Sequence, residues 1–283
     1  MYTLNCKGKL LTIDQPLVMG IINVTPDSFY QGHAGLGVNG MVTLAGDMLK
    51  EGADILDIGG QSTQPGSGRM EAQQEAERVI PIIIALHEQY PDAILSVDTY
   101  HSRVAEKAVA AGASMVNDIG GGLMDPDMIP LVATLNVPYI CMHLKGTPEN
   151  MQQKAVYDDV VKEVLDYFIG KIAECKQAGI NDVIVDPGFG FAKTIHHNFQ
   201  LLQQLSLFSI LEKPLLAGLS RKATIYKTLG TTAAEALNGT TILNTLALTQ
   251  GASLLRVHDV KEAVEAVKLF DAFKNGALVT GIN

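Results

Sequence analysis

The chain has 283 residues, 47% of them apolar, and a formal charge of −9. That apolar fraction excludes a disordered chain and allows one large α/β domain or two smaller ones. The acidic balance argues against general binding to nucleic acid or an anionic membrane, so an anionic substrate must be met by a few placed cations.

Three cysteines, Cys6, Cys141 and Cys175, match neither CxxC spacing nor a disulfide framework. Cys141 lies in an apolar run and reads as a buried thiol, which fits a reducing cytoplasm. The first residues lack a charged segment followed by an apolar one, so no secretory signal is expected. The longest apolar runs, such as Val79 to Leu86, fall far short of the ~20 residues that span a bilayer.

Residues 1–16 resemble a small hairpin around Lys7-Gly8 that plugs one end of the fold. Leu17 to Ile22 is a short, nearly uninterrupted apolar run ending in Asn23 and Thr25-Pro26-Asp27-Ser28, a strand that opens into a polar loop. A Gly-rich loop follows, then a helix ending at Glu51-Gly52, with Gly52 as its left-handed cap. Ile55 to Gly60 is the second strand, Gln61 to Gly68 a loop, and Met70 to Glu88 a helix.

The pattern recurs. Strands are predicted at Ile94–Asp98, Ser114–Asp118, Pro138–His143, Val183–Pro187, Leu215–Gly218 and Leu254–His258. Helices are predicted at Arg103–Ala111 and Asp127–Leu135, and around Val161, Val164, Leu165, Phe168 and Ile172 at spacings of three and four. The last helix opens with Asp259 and Glu262 at capping-box spacing. Eight β-then-α units, undivided by any linker, predict one domain over 1–283: an α/β (β/α)8 barrel with a short N-terminal β-hairpin. An open doubly wound sheet is the alternative, and the absence of GxGxxG after the first strand counts against its dinucleotide-binding form.

The strand ends carry Asn23, Asp57, Asp98, Asn117, His143, Asp186, Lys222, Arg256 and His258. One Asp after a strand is usually a helix cap or turn residue, but so many polar groups on separate strands cannot all be caps. In a barrel they ring one mouth. Asp98, Asn117 and Asp186 with Lys222 suit a flat, nitrogen-rich heterocycle, whose N–H groups need acceptors and whose carbonyl needs a donor. Asn23, Arg256 and His258 suit a phosphate or a metal, and Thr63 and Ser220 add hydroxyls. Such a divided pocket suggests attack at a carbon bearing a phosphate or diphosphate. Asp57 reads equally as a loop-fixing residue, and His143 as structural, with no nucleophile to pair with. His196-His197 reads as a surface helix start, because no third ligand has zinc-site spacing. Met142, Phe189 and Phe191 are either core or pocket wall.

Seven blocks carry a resemblance: Asn23 to Phe29, Asp57 to Thr63, Ser96 to Thr99, Val116 to Asp118, Asp186 to Phe191, Ser220 to Lys222, and Arg256 to Asp259. In that order they resemble the dihydropteroate synthase family. The resemblance implies a cytoplasmic homodimeric TIM barrel that joins 6-hydroxymethyl-7,8-dihydropterin diphosphate to p-aminobenzoate, with Mg2+ as cofactor and sulfonamides as competitors. It places Asp98, Asn117, Met142, Asp186, Phe191, Gly218, Lys222 and Arg256 around the pterin. Asn23, which also serves Mg2+, would meet the diphosphate together with Thr63, Arg256 and His258. Thr63, Pro65, Phe191, Ser220 and Lys222 would surround p-aminobenzoate. Asp98, Lys222, Arg256 and His258 would carry catalysis by dissociative substitution, with no protein nucleophile.

Two positions depart from the family, which commonly has Asp where this chain has Gln31 and Arg where it has Gln64. Either an ion pair between two loops has become an amide–amide contact, or the loops have drifted. Two other functions share the pocket: a pterin-dependent methyltransferase and a pterin-binding module without turnover. Thr25-Pro26-Asp27-Ser28, Lys222 and Arg256-x-His258 favour the synthase over the first. The two glutamines are the support for the second.

Overall fold

The computed structural model describes residues 1–24, 37–61 and 68–276. In chain order, β1 (Tyr2–Cys6) and β2 (Lys9–Ile13) form an antiparallel hairpin, and β3 (Leu17–Asn23) begins a parallel sheet. Then α1 (Val38–Glu51), β4 (Ile55–Gly59), α2 (Ala72–Gln89), β5 (Ile94–Asp98), α3 (Ser102–Ala111) and β6 (Met115–Asp118) alternate. The alternation continues through α4 (Met128–Leu135), β7 (Tyr139–Met142), α5 (Val160–Ala178), β8 (Val183–Asp186), α6 (Ile195–Gln203) and β9 (Leu216–Ala217). Two helices, α7 (Ala223–Leu229) and α8 (Leu237–Thr249), precede β10 (Leu254–Val257), and α9 (Val260–Asn275) follows it.

The eight parallel strands run β8-β7-β6-β5-β4-β3-β10-β9. A single bridge, Val185 to Leu215, joins the two ends of that order and closes the barrel. The expected (β/α)8 architecture and N-terminal hairpin are both present.

Alternate strand residues face opposite ways, so each strand carries two apolar stripes. Val18, Ile22, Leu56, Ile58, Leu95, Val97, Val116 and Leu255 pack outward against the helices. Leu17, Met19, Ile55, Ile94, Met115, Ile140, Ile184, Leu216 and Leu254 fill the barrel interior, with Leu4, Cys6 and Ile13 of the hairpin beneath them. Gly20 is needed where β3 meets its helices, since a Cβ there would lie 3.0 Å from Met48 Sδ and 3.1 Å from Val260 Cγ2.

Local signals mostly hold. Gly52 caps α1 with φ 104°, donating to the Leu49 and Met48 carbonyls. Asp159 caps α5 through the Val161 and Lys162 amides. Thr194 and His197 form a capping box at α6, so the His196-His197 pair does mark a helix start. The capping box expected at Asp259 is absent: the Asp259 carboxylate is taken instead by the Arg221 guanidinium, through Nε and Nη2, both at 2.8 Å. Among the described residues no helix is long and apolar enough to cross a membrane.

Candidate active site

The strand period builds the site. Continuing each interior stripe by two residues brings Asp57 after Ile55, Asp98 after Ser96, Asn117 after Met115, Met142 after Ile140, Asp186 after Ile184, Gly218 after Leu216 and Arg256 after Leu254. The interior thus turns from apolar to polar along five of these strands, at Asp57, Ser96 and Asp98, Asn117, Asp186 and Arg256, while Met142 and Gly218 leave apolar wall between them. Asp118 has the other parity. Its carboxylate faces outward and accepts from Gly120 N, Gly122 N and Tyr139 Oη, all at 2.7 Å, which fixes the loop after β6.

Arg256 is the centre of this layer. Its Nε donates to Asp57 Oδ2 at 2.7 Å and its Nη2 to Asp98 Oδ2 at 2.6 Å. Asn117 Nδ2 donates to the same Asp57 oxygen at 2.9 Å. Asp57 is fully buried, and Arg256 and Asn117 are the groups that donate to its Oδ2. It therefore orients both Arg256 and Asn117. Register supports the grouping, since Asn23 pairs with Gly59, Gly59 with Asp98, and Asp98 with Asn117. Burial pushes the Asp98 carboxyl up to about 7, the neighbouring Asp57, Asp118 and Asp186 adding to the rise and Arg256 opposing it. The two carboxylates hold the Arg256 guanidinium above its usual range against the cost of burial.

On the opposite wall, Asp186 ends β8 and accepts from Gly188 N at 2.8 Å. Burial raises its pKa, against Lys222, the Gly188 N–H, Arg256 and Lys193. The Lys222 ammonium donates to the Phe189 carbonyl and stands 4.7 Å from the centre of the Phe191 ring. Burial brings Lys222 down to about 8, Arg256 adding to the fall while Asp186 and Asp98 oppose it. A Cβ on Gly218 would lie 3.6 Å from Lys222 Nζ, so glycine keeps that wall open beside the ammonium.

At the mouth, Ser220 and His258 interlock. The His258 N–H donates to Ser220 Oγ at 3.2 Å, and the hydroxyl lies 3.0 Å from His258 Nδ1. The hydroxyl can donate to Nδ1 while it accepts the amide, and in that tautomer the ring proton stands on Nε2. Burial and the cations Arg256, Arg221 and Lys222 lower the imidazole to about 3, so it is neutral. Arg221, in the left-handed region at φ 55°, spends its guanidinium on Asp259 and on the Ala233 and Ala234 carbonyls. Asn23 ends β3 with a half-buried amide at the same rim.

Pterin binding is also what family comparison finds, over residues 19–258, which match the model of the pterin-binding enzymes. The dihydropteroate synthase of Escherichia coli K12 is 41% identical over 268 residues, 94% of each chain. The chain belongs to the dihydropteroate synthase family. These are transferase enzymes, and the solved members share the fold closely. A Yersinia pestis dihydropteroate synthase in complex with a sulfonamide drug superposes with a TM-score of 0.92 at 39% identity, covering 97% of this chain and 100% of the other. The Xanthomonas albilineans enzyme with 4-aminobenzoic acid gives 0.89 at 42% identity, covering 96% and 98%.

The barrel of this family member brings together Asp98, Asn117, Met142, Asp186, Gly218, Lys222 and Arg256 on its interior layer, with Phe191, Ser220, His258 and Asn23 around the mouth. Thr63, Pro65, Gln31 and Gln64 lie outside the described residues. Of the two readings open for Asp57, strand end at the mouth or loop-fixing residue, the structure gives the first, as the parity of Ile55-Leu56-Asp57 requires. One residue near the site has no counterpart in the sequence analysis. Lys193 follows the Gly-Phe-Gly-Phe-Ala run and gave no signal beyond being a lysine in an apolar stretch. It is 3% exposed and donates to His143 Nδ1 at 2.9 Å. The His143 ring is neutral, lowered to about 2 by burial, Lys193 and Lys145.

Proposed function

We propose that this protein joins 6-hydroxymethyl-7,8-dihydropterin diphosphate to p-aminobenzoate, giving 7,8-dihydropteroate and pyrophosphate in folate biosynthesis. The observation that carries the reading is the inward set of Asp98, Asn117 and Asp186 beside Lys222 and the carboxylate-held Arg256. The acidic and amide groups supply acceptors for the ring N–H groups. Lys222 exchanges the Phe189 carbonyl for the pterin carbonyl. Asp98, next to the ring, favours the positive charge that grows on the exocyclic methylene as its C–O bond breaks. The bonding electrons leave with the diphosphate, whose charge meets Arg256 and the Nε2 proton of His258. The neutral aniline nitrogen of p-aminobenzoate then forms the C–N bond and loses a proton. Phe191 and Ser220 flank that substrate, completed by Thr63 and Pro65. No protein nucleophile is involved.

Asn23 fits a Mg2+ ion, offering one neutral oxygen at the rim. The described residues hold no group of three or more His, Cys, Asp or Glu able to make an all-protein site. Mg2+ characteristically takes its remaining ligands from water and substrate phosphates. When bound it would neutralise charge on the diphosphate.

The protein is further proposed to be a homodimer of the reducing cytoplasm. Leu229, Ile242, Leu246, Leu269 and Phe273 are apolar and exposed on α7, α8 and α9, and the three cysteines are free thiols. Sedimentation of the purified protein at twice the chain mass is the expected result.

The deciding measurement is pyrophosphate release with both substrates and Mg2+. Stoichiometric release that requires p-aminobenzoate and is competed by a sulfonamide is expected. Tight binding of the pterin diphosphate without release would make the protein a pterin-binding module instead.

A further inference from the structure

The loop after β8 presents both a pterin ligand, Asp186, and an aromatic wall, Phe191. Its backbone is not one the chain adopts unaided. Gly188 and Gly190 lie in the left-handed region at φ 71° and 83°, and Ala192 joins them at 49° without a glycine's freedom. Gly188 also passes so close to β7 that a Cβ there would sit 2.2 Å from the His143 carbonyl oxygen.

Two ammonium groups hold this loop by its carbonyls. Lys222 takes the Phe189 oxygen. Lys193 takes Gly188 O at 3.1 Å and Phe191 O at 3.0 Å, and its third hydrogen goes to His143 Nδ1 at 2.9 Å. Burial lowers Lys193 to about 7, Asp186 opposing the fall, and in its ammonium form three donors meet three acceptors, with none left for solvent or ligand. His143 can accept there because its ring is neutral, its proton on Nε2.

We propose that Lys193 is a positioning residue for the aniline-bearing substrate: it fixes the Gly188–Phe191 loop so that the Phe191 ring and the Lys222 ammonium are presented together to p-aminobenzoate. The inference rests on the function proposed above. Lys193 touches no substrate itself. It works by occupying the Phe191 carbonyl and by adding a second donor to the Gly188 carbonyl, which also accepts from Phe191 N–H at 3.1 Å; without it the Phe191 carbonyl would draw on Lys222, the other ammonium bonded to this loop among the described residues. With those carbonyls satisfied, Lys222 has only the Phe189 carbonyl to give up when substrate arrives. The loop's other anchors are the Phe191 N–H to Gly188 O turn bond at 3.1 Å, Gly190 N to Asn198 Oδ1 at 2.7 Å, Gln152 Nε2 to Gly190 O at 3.4 Å and Tyr157 Oη to Ala192 O at 3.0 Å, and none of them takes the Phe191 carbonyl.

The test is steady-state kinetics of wild type, Lys193→Met and Lys193→Gln, each with its thermal midpoint, plus Phe208→Ala as a purely packing control. Both Lys193 variants should raise KM for p-aminobenzoate about tenfold, with kcat changed far less. Phe208→Ala should lower the thermal midpoint and leave that KM alone. Lys193 variants that lose thermal stability but keep the wild-type KM for p-aminobenzoate would overturn the proposal. Should neither fold, Lys193→Arg keeps a cation at this place but carries its donors on a longer planar fork, and must raise the same KM; an unchanged value is equally decisive against. A wild-type protein that releases no pyrophosphate would instead defeat the proposed function, so the two failures are distinct.

Discussion

Asp98 and Lys222 enter one barrel with opposite charges and are displaced toward each other's range by the same burial. Asp98 is pushed up to about 7, and Lys222 is brought down to about 8. The clamp on Arg256 needs Asp98 ionised, and the carbonyl contact needs Lys222 protonated. For the free enzyme, kcat/KM for the pterin diphosphate should therefore rise with pH toward about 7 and fall beyond about 8. The two limbs belong to the interacting set of charges, so they are read as apparent values. Lys222→Arg assigns the alkaline one. Arginine keeps its proton throughout that range, so the variant, though slower, should lose the fall while retaining the rise. An alkaline limb of unchanged position in Lys222→Arg would assign it elsewhere.

At the scale of elements, α2 contains a carboxyl that its own helix buries. Glu75 lies on the same face as Val79, Ile82 and Leu86, and is itself fully buried. Among the described residues neither oxygen has a well-formed hydrogen bond, Thr99 and Arg78 being the neighbours that favour its charge, and His101 Nε2, 4.0 Å away, is bonded to the Met70 carbonyl. Burial pushes Glu75 from 4.5 up to about 8. Between those values the folded chain holds a proton that the unfolded chain has lost, so stability drains as pH rises through the window. Glu75→Gln is neutral in both states. Its thermal midpoint relative to wild type should climb from pH 5 to pH 8, by roughly 2–4 °C for each kcal/mol relieved; a constant difference would show Glu75 to be ionised throughout. The position was legible as a helix-face position, whereas its isolation was not, because the neighbours come from other elements. The same division runs through the molecule. Strands were legible, since two apolar stripes per strand leave a continuous run. α8 was not singled out because Ile242 and Leu246 are exposed opposite the buried Leu243 and Ala247, which blurs its period. Site residues reached by strand parity were readable. Those whose role depends on a partner far along the chain, such as Asp57 with Arg256 or Asp259 with Arg221, were not.

For the whole molecule, the two barrel ends are separated by a plug of apolar side chains, and this divides stability from catalysis. With a net charge of −9, an anionic substrate of the proposed reaction would be met by placed cations at one mouth, Lys222 and Arg256, and not by the field of the whole chain. The other end is closed by the β1–β2 hairpin, which is tied on through Asn5 N to Asp182 Oδ2 at 2.7 Å and Lys7 Nζ to the Val109 carbonyl at 2.7 Å. Leu4 inserts from the hairpin at 2% exposure, joining Leu17, Met19, Ile55, Ile140 and Leu254 in the interior cluster. That layer stands between the hairpin and Asp57, one strand period below the polar groups. Leu4→Ala would leave a cavity there at a cost of about 2–5 kcal/mol. In a chain of this size that lowers the thermal midpoint by roughly 5–15 °C. Because interior packing is dense but the polar layer is held by its own ion pairs, kcat/KM measured well below the transition should stay within about twofold of wild type. A variant that keeps its midpoint would show that the hairpin is not part of the core. One that loses activity while still folded would show that the plug sets the height of the catalytic layer, with Arg256 and Asp57 shifting along the barrel axis when the floor gives way.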